Sequence, residues 1–415
     1  MNKIITLSVL TSAIVCAGGY KIPEQSLNSM ALCAAYVAHT NGADTAYYNP
    51  AGMAFMKDKQ YIDIAGTVAH LFSQDYTLGG PVSGTSEVEN IIIPAAHYIA
   101  NTMDDWRWGM SLTVPGGLTK RWKSPFQKAS AEEFTLKNVE LNPVFSYKVN
   151  DNFAIGGGVR VVYSEGIVKS NSADANAINP SVLSVKRDMK GDSIVFGYNA
   201  ALLYKPTTDI NLALTYRSNI DLDEEGEANL FLGKVGKQYD TSVTVPLPAA
   251  LNIAISKTWQ DRFTLELNYE RTFWSTYKEL DFNYNQNLAN PVLVAAFEEP
   301  KERKWKDTNT FRIGATVKMN NQLTAMFGFA IDETPVNSKY IGFELPDSDA
   351  KIYSMGIRYQ QTENLSWGAA VLYDDKETLD LEAGKHHDAT ALLNKGGHFS
   401  EGGSLLTTLG VAYEF

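Results

Sequence analysis

The stretch that decides the fold is Trp106-Arg107-Trp108-Gly109-Met110-Ser111-Leu112-Thr113-Val114. Trp106, Trp108, Met110, Leu112 and Val114 form one set, and Arg107, Gly109, Ser111 and Thr113 the other. A period of two is the mark of a strand with two different faces. The same division recurs at Phe153–Tyr163, Ile210–Arg217, Phe263–Glu270 and Phe311–Lys318. In each, large aliphatics with Tyr or Trp near the ends face one side, and small or charged residues face the other. A soluble sandwich also alternates, so the character of the faces decides. A dry core does not collect Gly, Ser, Arg and Glu, whereas a wet lumen does, and Tyr and Trp suit a membrane interface. The pattern predicts an all-β protein, a closed antiparallel transmembrane β-barrel whose outside meets lipid.

Connections alternate as well. Val149–Asn152, Pro206–Asp209, Gln260-Asp261, Asn320-Asn321 and Thr362–Asn364 are short polar turns, while 167–192, 283–307, 333–350 and 378–402 are long. Short turns at one end and long loops at the other match periplasmic and extracellular ends. The count comes to about 14 strands, even as in bacterial barrels. Beyond residue 17 no apolar run reaches 18 residues, which excludes spanning helices.

Both chain ends fit export. Lys3, the apolar run Ile4–Val15 and Val15-Cys16-Ala17 form a signal with cleavage expected after Ala17. Val15 stands where a lipoprotein signal needs a small residue before Cys16. The remaining Cys33 excludes an internal disulfide and reads as a small buried residue. At the other end Leu409, Val411, Tyr413 and Phe415 share a face, and the terminal Phe415 resembles the strand signal read by the barrel assembly machinery. The formal charge of −11, from 36 basic and 47 acidic residues, leaves no basic footprint for nucleic acid. The resulting division is 1–17 signal peptide, 18–56 N-terminal segment and 57–415 barrel, with a monomer in outer-membrane lipid and lipopolysaccharide as the expected setting.

Residues 18–56 do not read as strand. Gln25–Val37 is Ala-rich with helix-compatible spacing, and Asn49 is placed to cap a short helix with Pro50 at its first position. The strings GYKIPEQS (19–26) and GADTAYYNPAGMA (42–54) resemble the start of the FadL/TodX-type outer-membrane transporter family. Further segments resemble it in order: 140–166, 191–206, 214–227, 247–259, 306–318 and 344–359.

The resemblance implies that residues 18–56 form a small helical hatch plugging the lumen, with Asn49, Pro50 and Ala51 as its hallmark. It implies passive uptake of hydrophobic small molecules, long-chain fatty acids first and aromatic hydrocarbons as the alternative, through an inner pocket and a lateral opening in the wall. Tyr20 matches the aromatic that the family places by its ligand. Val114-Pro115-Gly116-Gly117-Leu118 falls where the family's third strand is distorted. Independently, Pro115 removes a ladder donor and Gly116 and Gly117 weaken pairing. The alternative is that an extracellular loop starts there. For a fatty-acid carboxylate, Arg160, Arg312 and Lys318 point inward by parity, and Lys306 lies in a matched segment. Charges lining a barrel also pair with one another, for example with Glu266 or Glu270. Where the family's clearest lumen arginine would fall, this chain has Ser164-Glu165, which leaves aromatic substrates open.

Other signals carry less. Gly156-Gly157-Gly158 has no helix after it for a phosphate loop. His386, His387 and His398 lie in an acidic loop and read as solvated, so no metal or cofactor is expected. The run Asp221–Glu227 reads as an outer-rim face. No nucleophile–base spacing marks an enzyme. A hydrophilic porin or a surface adhesin are the remaining rivals.

Overall fold

The structure, a computed structural model, describes residues 18–387 and 392–415, so the expected signal at 1–17 lies outside the described residues. Alternating, β-branched-rich segments form fourteen staves: β1 Tyr61–Leu71, β2 Glu89–Ile99, β3 Trp106–Thr113 with Gly117–Arg121, β4 Glu133–Asn150, β5 Phe153–Asn171, β6 Val185–Tyr204, β7 Ile210–Arg217 with Ile220–Leu232, β8 Val235–Leu247 with Ala250–Trp259, β9 Phe263–Thr272, β10 Thr308–Lys318, β11 Leu323–Asp332, β12 Ala350–Gln360, β13 Leu365–Lys376 and β14 Ser404–Glu414. Three staves are broken in two, and Phe282–Tyr284 extends the ladder beyond β9. All pairings are antiparallel, and β14 returns to β1 in register from Tyr61↔Glu414 to Leu71↔Ser404. The first and last staves thus leave no terminal edge in lipid.

The polarity is inside out. On β1, Asp63 is 0% exposed while Ile64 is 49% exposed, and on β6 Phe196 reaches 68%. Only a sheet bathed in hydrocarbon benefits from that arrangement. At the short-turn end aromatic rings gather in a girdle: Trp106 lies 4.6 Å from Tyr147, Trp259 5.5 Å from Phe263, and Tyr359 5.5 Å from Trp367. Phe415 closes this rim, its ring 4.8 Å from Tyr413 and its N–H donated to the Gln60 carbonyl. At the other end β5 and β6 run on through half of 167–192, leaving a connection of 172–184. The loop expected there is therefore shorter than the sequence suggested. The acidic run Asp221–Glu227 likewise belongs to a stave, with Glu224 turned inward and buried. A four-stranded sheet of short pieces, Gln74–Thr77, Gly84–Thr85, Leu379–Leu381 and Gly397–Glu401, lies over the long-loop end.

Residues 18–56 pack against the inner wall. The helix expected over Gln25–Val37 is only α1, Leu27–Ala31, capped reciprocally by Ser26 and Ser29. It stops because Cys33 and Ala34 take left-handed φ of 47° and 59°, turning the chain along the wall. There the Cys33 N–H donates to Ser354 Oγ at 3.0 Å. Asn49 precedes the 3₁₀ turn Pro50–Phe55 but makes no cap bond; its Nδ2 donates to the Val37 carbonyl at 2.9 Å instead. The small inner-face residues turn out to be seats for this segment. A Cβ on Gly328 would stand 2.3 Å from the Leu32 carbonyl carbon, and one on Gly156 2.5 Å from the Ala51 nitrogen.

An irregular chain inside a barrel needs partners for its backbone, and charged wall residues supply them. The Glu266 carboxylate accepts the N–H groups of Val37 (2.6 Å), Ala38 (3.0 Å) and His39 (2.8 Å). Arg107 donates to the carbonyls of Ala100, Met53, Met56, Lys57 and Lys59.

Glu266→Ala would leave three buried donors unmatched, each worth about 1–3 kcal/mol. The expected result is a barrel that still shows heat-modifiable mobility on gels but whose residues 34–41 become accessible to protease, with Glu266→Gln intermediate. Full protection in the alanine variant would show that the carboxylate does not hold the segment.

Candidate functional site

Above the N-terminal segment lies a narrow cavity of about 70 Å³, lined chiefly by Leu118, Phe134, Leu136, Phe282, Ile341 and Leu345. That mostly apolar lining suits an apolar ligand. Its floor is aromatic. The Tyr20 ring packs 4.8 Å from Trp274 and 5.7 Å from Trp305, and its hydroxyl donates to the Pro246 carbonyl at 2.5 Å. Burial pushes the Tyr20 phenol well above its usual range, so it stays a neutral donor. Tyr20 thus reaches the cavity from the N-terminal segment, at 2% exposure.

Outward, the cavity shares Phe134, Leu280, Phe282, Arg303 and Ile341 with a groove of about 240 Å³ among the long loops. Arg303 stands between the two and pairs with Glu344 at 2.8 Å.

Sideways, the wall is interrupted. β2 pairs with β3 only from Ala96↔Leu112 to Ile99↔Gly109. Contact resumes where the Glu87 N–H donates to the Arg121 carbonyl and Arg121 pairs with Glu89. Between these points β3 stops at Thr113 and restarts at Gly117, three residues standing opposite two on β4. Because the stave resumes beside β4, the stretch Val114–Leu118 is a break within the wall and not the start of a loop. The N-terminal segment supplies the missing partners. The Gln25 side chain donates to the Val114 carbonyl and accepts the Val114 N–H, both at 2.8 Å. Ile22 N–H donates to the Pro115 carbonyl at 3.0 Å, and Gly117 N–H to the Tyr20 carbonyl at 2.8 Å. Pro115 has no N–H to strand. A Cβ on Gly116 would lie 3.0 Å from the Tyr20 carbonyl oxygen, so the close approach favours glycine there.

The four cations expected from sequence do not line the apolar cavity. Arg160 is buried against Glu140 (2.9 Å) and the Ser218 carbonyl (2.7 Å). Arg312 pairs with Glu270 at 3.2 Å, beside Lys21 at 2.5 Å from the same carboxylate, in a separate pocket of about 50 Å³ below the cavity. Lys318 ends β10 at the short-turn rim beside Asp261 and Arg262, and it is exposed. Lys306 is exposed in the loop before β10, its N–H donated to the Pro335 carbonyl. Parity assigns a face but no height, and the height of these residues is wrong for the cavity. Asn49, Pro50 and Ala51 sit in the fold against Val37 and Gly156. Sequence reasoning missed Arg187 and Arg303. Continuing the strand parity of Met189 back through Val185 would have turned Arg187 inward.

Comparison with known proteins agrees with this architecture. A family model for outer-membrane transport proteins (OMPP1/FadL/TodX) matches residues 8–415. Outer membrane protein P1 of Haemophilus influenzae is 24% identical, covering 88% of this chain and 89% of its own. A long-chain fatty acid transport protein of Salmonella typhi is also 24% identical, over 74% of this chain and 77% of its own. Among solved structures, a FadL homologue from Pseudomonas aeruginosa superposes with a TM-score of 0.82 at 20% identity, covering 95% of this chain and 99% of its own. The Pseudomonas putida toluene transporter TodX gives 0.72 at 17%, covering 94% and 98%. With a closed lipid-facing barrel and a family match along nearly its whole length, the chain belongs to the OMPP1/FadL/TodX family of outer-membrane transport proteins and is a transporter, not an enzyme.

Proposed function

We propose that the protein takes up long-chain fatty acids passively, from the outer groove into the apolar cavity and out sideways through the gap between β2 and β3, with residues 18–56 acting as a hatch. The observation that carries this reading is shared structure: Tyr20 lines the cavity and its carbonyl also holds the edge of the gap at Gly117. A ligand filling the cavity presses on the segment that substitutes for the missing ladder.

The physical chemistry favours a lateral exit. Each buried methylene gains about 0.8 kcal/mol, so a C18 chain in a water-filled pore would face a steep barrier. Passage from cavity to bilayer exchanges one apolar environment for another. A hydrophilic porin fits poorly, because the lumen at the level of residues 18–56 is filled by packed protein. The aromatic floor of Tyr20, Trp274, Tyr277 and Trp305 supports a second reading, uptake of aromatic hydrocarbons.

Growth of a deletion strain on oleate and on toluene as sole carbon sources, with and without the gene restored, separates the two readings. Restored growth on oleate is expected. Growth restored on toluene alone would give the substrate to the second reading.

Deleting Pro115 removes the extra residue of the β3 break and lets the ladder close past Thr113. The expected variant assembles and binds labelled oleate as before but loses most of its uptake into cells. Undiminished uptake would exclude the lateral route. Leu136→Trp should fill the cavity and weaken oleate binding while the barrel stays assembled, and unchanged affinity would move the binding site elsewhere.

A further inference from the structure

We infer that Arg187 is an anion-recognition residue in the outer groove, selecting single-chain amphiphiles with a carboxylate or similar anionic head over neutral ones of equal length. The inference rests on the uptake reading above and names the head group that the entry groove captures.

The other inward guanidinium groups have partners within the chain. Arg107 is saturated by backbone carbonyls. Arg160 and Arg217 share Glu140, Arg312 holds Glu270, Arg303 holds Glu344, and Arg358 holds Asp63. Arg187 differs from all of these. It is 7% exposed, and no carboxylate pairs with it among the described residues. Its Nε is buried without a hydrogen-bond partner; the Tyr284 hydroxyl lies beside it, and the Glu344 carboxylate that acts on it from further off is already held by Arg303. A buried cation left unpaired is costly and calls for a partner that is absent from the folded chain.

Its surroundings fix how such a partner would arrive. The rings of Phe282, Phe297 and Phe134 lie 4.5, 5.3 and 5.9 Å from the guanidinium carbon. Such aromatic contacts stabilise the cation without taking its donors. The N–H fork of a guanidinium matches a carboxylate in two bonds. Arg187 lines the outer groove, which continues through Phe134 and Phe282 into the apolar cavity. A head group bound at Arg187 therefore has an apolar channel directly ahead of its tail. A diffuse inorganic anion would gain the fork but nothing from the phenylalanines, so an amphiphile is the better match.

The test compares oleate with oleyl alcohol, displacing a fluorescent C18 probe from the full-length mature protein in nanodiscs. A charge-assisted fork in a desolvated groove should favour oleate by about 10- to 100-fold. Arg187→Met should erase that preference while leaving the affinity for oleyl alcohol unchanged, and Arg187→Lys, which keeps the charge without the fork, should retain part of it. Equal binding of the two by the wild-type protein overturns the inference alone, even if the methionine variant fails to assemble. A preference that persists in an assembled Arg187→Met protein also overturns it. Binding of neither compound overturns the uptake reading itself, and the inference with it.

Discussion

In hydrocarbon a backbone N–H or carbonyl without a partner costs several kcal/mol, and the shape of this molecule follows from meeting that demand. Fourteen staves meet it by closing, with β1 and β14 in register over their whole shared length. At one place the demand is met differently. Where β3 breaks at Val114–Gly116 and parts from β2 beyond Ala96, partners for β3 come from inside the barrel. Gln25 imitates a strand residue, offering a donor and an acceptor from one amide to the N–H and carbonyl of Val114. A wall can be open to lipid only where something else satisfies its backbone, so the break and residues 20–25 must be understood together.

The same accounting explains the charged lumen. Inward charges are commonly taken for ligand contacts, yet here most serve the protein itself. Glu266 gathers three N–H groups, Arg107 gathers carbonyls, and Arg160 and Arg217 share the Glu140 carboxylate. These interactions hold 39 residues of mostly irregular chain in a space where water cannot do so. What remains for a hydrophobic ligand is the apolar volume above, walled by aromatic and aliphatic side chains and bordered by the cations Arg303 and Arg187.

The sequence made some of this plain and concealed the rest for definable reasons. Alternation at Trp106–Thr113 and Phe311–Lys318 displayed the barrel, because lipid on one side and polar lumen on the other impose a period of two. The break at Pro115-Gly116 was legible because both residues weaken a ladder. The extent of the first helix was not: nothing local to Cys33-Ala34 signals left-handed backbone, which is imposed by the wall at Gly328 and Ser354. Lys318 was placed on the correct strand but at its rim, since parity is blind to height. Arg187 was hidden for the opposite reason. A stretch rich in Asn, Ser and Asp looked like loop, although it continues two of the longest staves.

Magnitudes link the closed gap to the proposed cargo. Four hydrogen bonds join residues 20–25 to Val114, Pro115 and Gly117. At about 1 kcal/mol net apiece, separating them costs about 4 kcal/mol if nothing replaces them. Burial of some five methylenes, at about 0.8 kcal/mol each, offsets that amount. A long acyl chain exceeds this threshold comfortably, while a single aromatic ring comes close to it. On the proposed route the gap is therefore graded by the apolar size of what occupies the cavity: tight against water and small polar solutes, and displaceable by a chain long enough to press on Tyr20. Closure by a few modest bonds, in place of a continuous ladder, is what makes such a response energetically accessible.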